Sequence, residues 1–209
     1  LSLHDALPIY STAEGEIATG YLKTILPNEP ANNSANPVLS IRKEGNTLAW
    51  GAVYEQYFQE IDKVKGQKGV LSVEKILFVE TNNGTNRQIR PVTPEQPLRI
   101  GDKVIVRLTI RTDREMNYVF LKDLRAGCFE PADQLSGPES RDGIWYYRSP
   151  KDVSENFFIN RLPEGAFVLE YPVYVSRSGE YAGGISTIQC MYAPEFVSHT
   201  AGESLRIMP

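Results

Sequence analysis

The chain has 209 residues, a formal net charge of -4 and a sequence pI of about 5.4. This net negative charge argues against a nucleic-acid-binding protein, which typically carries an excess of basic residues. No apolar run approaches the roughly 18 residues of a membrane span. With 41% hydrophobic and 10% aromatic residues, the chain can bury the core of one large or two small domains, which excludes a disordered chain.

The N-terminal third is predicted to contain short strand-like segments at 17–26 and 38–42, separated by loops rich in Pro and Asn. Residues 1–9 read as translated sequencing-adapter sequence and are expected to lie outside the fold. Because the chain begins with Leu1 rather than Met, we expect it to be a fragment of a longer reading frame. Residues 48–58 fit a helical and an alternating pattern, and their aromatic and β-branched content favours a strand. The charged residues 62–69 are predicted to be an inter-domain linker.

After this linker, short alternating apolar runs between Gly and Pro turns predict an all-β domain. In the clearest run four apolar residues share one face: Val104, Val106, Leu108 and Ile110. Other strands are predicted at 70–79, 118–124, 144–148, 157–162, 166–175, 185–191 and 205–207. Residues 135–143 and 176–184 are predicted to be loops or turns. About seven strands suit an immunoglobulin-like antiparallel β-sandwich. Pro172 cannot donate to a ladder, so its strand should have one free side there.

Several motifs follow one another closely between Phe157 and Phe196: Phe-Phe-x-x-Arg-Leu-Pro-x-Gly, a Tyr-rich strand, Ser-Gly-Glu-Tyr and Met-Tyr-Ala-Pro-Glu-Phe. In this order they resemble the last domain of bacterial alpha-2-macroglobulins, a macroglobulin-like β-sandwich that closes a large protease-trapping protein. The Trp-Gly-Ala-x-Tyr-x-x-Tyr-Phe run from Trp50 is similar to the end of the CUB-like domain in these proteins. The resemblance implies returning strands of a partial CUB-like domain at 10–62 and the sandwich at 66–209.

The resemblance implies a non-catalytic C-terminal module of a periplasmic or cell-envelope protease inhibitor. The family's reactive group is a thioester between Cys and Gln of a Cys-x-Glu-Gln motif, which this chain lacks. The nearest match, Cys128-Phe129-Glu130-Pro131, ends in a residue without a side-chain amide. The thioester and the bait segment are therefore expected upstream. The implied partners are the upstream thioester domain of the same polypeptide and target proteases. Contact with a membrane is expected only through an N-terminal lipid anchor, and no cofactor is expected.

In bacterial members of this family, a loop of the final domain places a Met-Tyr pair over the thioester and keeps water out. Met191 and Tyr192 match this pair. A flexible thioether beside an amphipathic aromatic ring makes a good cover for a group that water destroys. Pro194 is expected to stiffen the loop after the pair. The competing interpretation is that both residues end a core strand and simply pack.

The residues themselves argue against an enzyme. No phosphate-binding loop, Rossmann fingerprint or Gly-x-Ser-x-Gly elbow occurs, and His199 is the only histidine left once residues 1–9 are set aside. Scattered carboxylates are interpreted as a solvated strand face rather than as a glycosidase pair: Asp102, Asp113, Glu115 and Asp123.

Cys128 and Cys190 lie far apart and outside any zinc-ligand spacing. Two interpretations stay open, buried free thiols or one disulfide, which the oxidising periplasm implied by the resemblance would permit.

A second functional hypothesis is an extracytoplasmic adhesion or carbohydrate-binding sandwich. In it, Trp145, Tyr146 and Tyr147 would form a flat ligand platform. Such a platform requires exposed, coplanar rings, whereas we expect Trp145 and Tyr146 to pack in the core or at a sheet edge.

Overall fold

The computed structural model describes residues 58–83 and 86–209, together with residues 21, 23, 25, 42, 46, 48, 50–52 and 54. The chain divides into two compact units, Leu1–Tyr54 and Glu55–Pro209. Regular structure is described in the second unit. The adapter-like residues 1–9 and most of the region predicted to hold CUB-like strands, including much of 48–58, lie outside the described residues.

The second unit consists of strands and one 3₁₀ turn at Ile61–Lys63. The strands are β1 (Ser72–Asn83), β2 (Asn86–Pro91), β3 (Leu98–Arg99), β4 (Lys103–Thr112), β5 (Met116–Leu124), β6 (Phe129–Pro131), β7 (Gly137–Arg141), β8 (Ile144–Pro150), β9 (Ser154–Leu162), β10 (Gly165–Val175), β11 (Gly179–Ala182), β12 (Ser186–Cys190), β13 (Ala193–His199) and β14 (Ser204–Met208).

The strands form a β-sandwich with two main layers. One layer has the order β2-β1-β4-β10-β6, and the other has the order β13-β12-β5-β9-β8-β7. Neighbouring strands in both layers are antiparallel. A smaller sheet, β11-β14-β3, contains a parallel pair between β14 and β3. The predicted all-β, immunoglobulin-like antiparallel sandwich is confirmed.

The core forms where the alternating strands β4 and β10 pair in register. Leu108 lies opposite Leu169, and Val106 lies opposite Tyr171. All four predicted apolar residues of β4 are buried, as are alternate residues of β10 from Phe167 to Val175. Burying each such side chain contributes about 1.5–3 kcal/mol, so these two strands supply a substantial part of the packing energy. Ile105, whose position in the alternation places it on the opposite face of β4, is buried as well.

Pro172 lies where its missing N–H costs nothing. On one side β10 pairs with β4 along its length, but on the other side β6 pairs only with Val173 to Val175. On that second side the N–H of Ala132 donates to the carbonyl of Pro172 over 3.3 Å, so among the described residues the unpaired side of β10 runs from Gly165 to Tyr171. The expected free side is thus found next to Pro172 and not at it.

The sequence-based strand count of about seven was too low, since the described residues form fourteen strands. Two of the additional strands lie in predicted loops. Residues 135–143 include β7, and 176–184 include β11. Most side chains of both strands are exposed, so neither shows the apolar alternation by which half-buried strands are recognised. Each lies at the edge of its sheet. Their composition resembles that of loops because little of either strand is buried, although Tyr181 of β11 packs against the core.

The predicted linker segment, residues 62–69, belongs to the second unit and packs against the rest of it. The backbone N–H of Gln67 donates to the carbonyl of His199 over 2.9 Å, and that of Gly202 donates to the carbonyl of Val64 over 2.8 Å. Gly202 allows this approach because a Cβ atom there would lie 1.8 Å from the carbonyl oxygen of Ile61. Residues 61–67 are thus tied to the segment after β13.

Asp123 corrects the expectation of a solvated carboxylate, because it is fully buried. One of its oxygens accepts hydrogen bonds from Lys75 Nζ (2.8 Å) and Ser186 Oγ (2.7 Å), and the other accepts one from the Tyr171 hydroxyl. Lys75 and Tyr171 belong to the first layer, whereas Asp123 and Ser186 belong to the second. Burial and the neighbouring Asp123 carboxylate raise the pKa of Tyr171 well above its usual value, so its hydroxyl stays a donor.

Removing the Tyr171 hydroxyl should destabilise the sandwich. In Tyr171→Phe, one oxygen of Asp123 loses its donor while remaining buried, and we expect a loss of about 1–3 kcal/mol in the free energy of unfolding. Urea denaturation measures this, with Tyr174→Phe as the control because Tyr174 is exposed on the same strand. Equal stability of the two variants would show that the inter-sheet bond contributes little.

Candidate functional site

Met191 and Tyr192 form the tip of the hairpin that joins β12 to β13. Gln189 pairs with Val197, but Cys190 pairs with Ala193, so the register shifts just before the turn. At this tip Met191 is 51% exposed and Tyr192 is 82% exposed. These two residues are therefore not core residues. They are called the shielding pair below, after the role that the family resemblance predicts for them.

Pro194 is the second residue of β13, so it lies in a strand and not in a loop as expected. Because β13 is the edge strand of its sheet, a residue without an N–H is tolerated there.

The hairpin tip is held by the neighbouring strand β5. The backbone N–H of Met191 donates to the carbonyl of Tyr118 over 2.9 Å. The ring of Tyr192 stands edge-to-face on the ring of Tyr118, with centroids 5.2 Å apart and planes at 83°. The thiol of Cys190 donates to the carbonyl of Asn117 over 3.2 Å. Tyr118 carries no distinguishing signal in the sequence, because within its apolar run it has the pattern of an ordinary strand residue.

Cys128 and Cys190 are both buried and both free thiols. Cys128 directly precedes β6 of the first layer, whereas Cys190 ends β12 of the second. Burial raises the pKa of the Cys128 thiol to about 11, so the reactive thiolate is scarce at neutral pH.

We therefore expect Cys128 to resist alkylation in the folded protein near neutral pH and to react once the chain is unfolded. Iodoacetamide treatment followed by peptide mass spectrometry measures both states. Unfolding in denaturant without reductant should expose two free thiols. Failure of both cysteines to react under those conditions would show a disulfide instead.

The three aromatic residues of β8 do not form one platform. Tyr146 is buried, donates a hydrogen bond from its hydroxyl to Glu139 over 3.0 Å and packs against Phe157. Burial and the bond to Glu139 raise the pKa of Tyr146 to about 12. Trp145 and Tyr147 point the other way and are 69% and 47% exposed. The expectation that Trp145 packs in the core or at an edge is therefore wrong.

Two further rings extend this exposed surface across the sheet. Tyr147 lies opposite Phe158 in the register, and Phe158 stacks on Phe120 with centroids 4.9 Å apart and planes at 22°. We call these four residues the outer aromatic face: Trp145, Tyr147, Phe158 and Phe120. It crosses strands β8, β9 and β5.

Among the residues that the structure describes, no cluster of three or more His, Cys, Asp or Glu side chains is placed to hold a metal ion. His199 directs Nδ1 at the carbonyl of Thr200 over 3.1 Å. Within the same described ranges, none of the helical structure is long and apolar enough to cross a membrane.

The layers and the hairpin define a macroglobulin-type β-sandwich. A profile of the bacterial alpha-2-macroglobulin MG10 domain matches residues 71–195, more than half of the chain. The chain belongs to the bacterial alpha-2-macroglobulin family.

Solved structures of this family share the fold. Salmonella alpha-2-macroglobulin reacted with methylamine superimposes with a TM-score of 0.55 at 21% identity, over 69% of this chain and 10% of that one. Escherichia coli alpha-2-macroglobulin activated by porcine elastase gives 0.54 at 18% identity, over 69% of this chain and 14% of that one. Among curated proteins, circularly permutated Ras protein 2 of Dictyostelium discoideum is 28% identical over 109 residues, 52% of this chain and 3% of that protein. The chain thus spans a small part of each relative.

Proposed function

We propose that this chain is a non-catalytic C-terminal module of a protease-trapping inhibitor that acts outside the cytoplasm, in the periplasm or cell envelope. In this role the module packs on an upstream thioester domain of the same polypeptide and covers the thioester with Met191 and Tyr192. The observation that carries the proposal is the exposure of two large apolar side chains at the tip of an ordered hairpin.

The chemistry of the shielding pair suits this role. A thioester survives only where water and amines are kept away, which requires an apolar cover that fits closely. The Met191 thioether adapts to an irregular surface, and the Tyr192 ring adds apolar area with a hydroxyl that can remain in water. Exposed side chains of this kind lower their free energy when another surface covers them.

The relatives support the trapping part of the proposal. One is known after reaction with methylamine, a small amine nucleophile, and another after activation by porcine elastase, a protease. For this chain we propose the same sequence of events. Cleavage of an upstream bait segment moves the thioester domain away from the shielding pair, and a nucleophile of the protease then attacks the exposed carbonyl.

The reading frame upstream of this chain is the first test. Sequencing intact DNA of the native locus should reveal a long frame with a signal peptide and a Cys-x-Glu-Gln motif. A long frame without that motif would keep the fold and remove the shielding role. A short frame with its own signal peptide would overturn the trap.

Truncating Tyr192 should make the thioester in the full-length protein more reactive. Attack by methylamine forms an amide at the Gln-derived carbonyl and releases the Cys thiol, so the rate of thiol release measures access. If the ring contributes about 1.4 kcal/mol to the closed cover, Tyr192→Ala should react roughly tenfold faster. Tyr174→Ala, at an exposed tyrosine of the opposite layer, is the matched control. An unchanged rate in Tyr192→Ala would refute the shielding role.

One observation favours a second candidate function, binding of a neutral polysaccharide. The outer aromatic face presents Trp145, Tyr147 and Phe158 to solvent on one side of a sheet. Flat aromatic surfaces of this kind offer apolar contact area at low cost in conformational entropy.

If this surface binds polysaccharide, the chain should co-sediment with insoluble cellulose or chitin, and Trp145→Ala should abolish most of the binding. Tyr174→Ala should bind as the parent chain does. Absence of co-sedimentation with either polymer would remove this candidate.

A further inference from the structure

Tyr118 has a backbone conformation that is unusual for its residue type. Its φ is +56°, in the left-handed region that a bulky side chain rarely adopts. Among the described residues, the other non-glycine with positive φ is Asp142. Asp142 precedes Gly143 in the tight turn between β7 and β8, where positive φ is expected. Tyr118 instead lies within strand β5.

The ladder around Tyr118 is otherwise regular. In the ladder between β5 and β9, Asn117 lies opposite Arg161 and Val119 lies opposite Ile159. The register skips Tyr118, which lies between them. The side chain is 54% exposed, so burial of the ring offsets little of the backbone strain. Strained residues of this kind persist where their surroundings enforce them, and they cluster at functional positions.

The local conformation brings two groups of Tyr118 to the hairpin tip. Its carbonyl accepts the N–H of Met191, and its ring supports the ring of Tyr192 edge-to-face. One residue therefore contacts both members of the shielding pair, once through the backbone and once through the side chain.

We infer that Tyr118 is a positioning residue that sets the orientation of the Tyr192 ring over the group it covers; this rests on the proposed function. Without the Tyr118 ring, Tyr192 keeps its place at the turn but loses the contact that restricts its side chain. The cover is then closed for a smaller fraction of the time. Loss of an edge-to-face aromatic pair should increase the population of the open cover by a factor of about two to ten.

Three substitutions separate the ring from the backbone. Tyr118→Gly removes the ring and accepts positive φ without strain. Tyr118→Asn also removes the ring and tolerates this conformation, so it serves if the glycine variant folds poorly. Tyr118→Phe keeps the ring and is the matched control. The measurement is methylamine-induced thiol release from the full-length protein, alongside thermal unfolding.

We expect Tyr118→Gly and Tyr118→Asn to release the thiol about two to ten times faster than the parent protein, with thermal unfolding retained. Tyr118→Phe should behave as the parent does. If Tyr192→Ala reacts faster but both ring-deleted variants react at the parental rate, the positioning role is wrong and the shielding role stands. If Tyr192→Ala is also unchanged, both are wrong.

A second readout does not depend on a thioester. In the 209-residue chain, the ring resonances of Tyr192 should carry a ring-current shift from Tyr118 that Tyr118→Phe preserves and Tyr118→Gly abolishes. A Tyr192 spectrum that is the same in all variants would show that Tyr118 does not order this ring.

Discussion

The buried carboxylate of Asp123 is the constraint on which the rest of the domain depends. A charge removed from water must be matched by donors, and Asp123 takes them from Lys75 and Tyr171 of the first layer and Ser186 of its own. These bonds fix how the two layers sit against each other. They also anchor one end of the β5–β12 pair, where Ser186 lies opposite Asp123. The other end of that pair carries Tyr118 and the shielding pair, so the exposed tip lies at the far end of two strands whose opposite end Asp123 anchors in the core.

A second buried ionic group lies beside Asp123, because Glu155 is directly opposite Asp123 in the β5–β9 register. Glu155 of β9 is fully buried and accepts hydrogen bonds from Arg148 of β8 over 2.7 Å and from Arg125, just after β5, over 2.8 Å. Buried ion pairs are weak evidence for stability, but breaking one by removing a partner is costly because it leaves an uncompensated charge. Glu155 therefore restricts the register of β5, β9 and β8. These three strands carry the outer aromatic face.

The fold class could be predicted from the sequence, but several individual strands and the environments of several side chains could not. The alternation in β4 and β10 predicted the core because half-buried strands repeat every two residues. β7 and β11 escaped prediction because exposed edge strands carry no apolar period. Asp123 looked solvated because its donors lie far away in sequence and are brought to it only by the packing of the layers.

Met191 and Tyr192 were found through a family motif, whereas the positive φ of Tyr118 has no signature in residue type. Trp145 was misassigned because an aromatic strand residue reads the same way whether it faces the core or solvent.

The outer aromatic face and the shielding pair, considered together, discriminate between a protease-trap module and a polysaccharide-binding domain. Strand β5 contributes to both surfaces. Its Phe120 stacks on Phe158 of the outer aromatic face, and its Tyr118, two residues before Phe120, supports the ring of Tyr192. Large exposed apolar patches on a folded domain mark surfaces that another molecule or domain covers. A polysaccharide site would account for the outer aromatic face but not for a strained tyrosine holding a second ring at a hairpin tip. A covering domain of the same polypeptide would account for both, because it could lie on the face while the tip closes over its reactive group. The protease-trap module is therefore the more economical explanation of the whole surface.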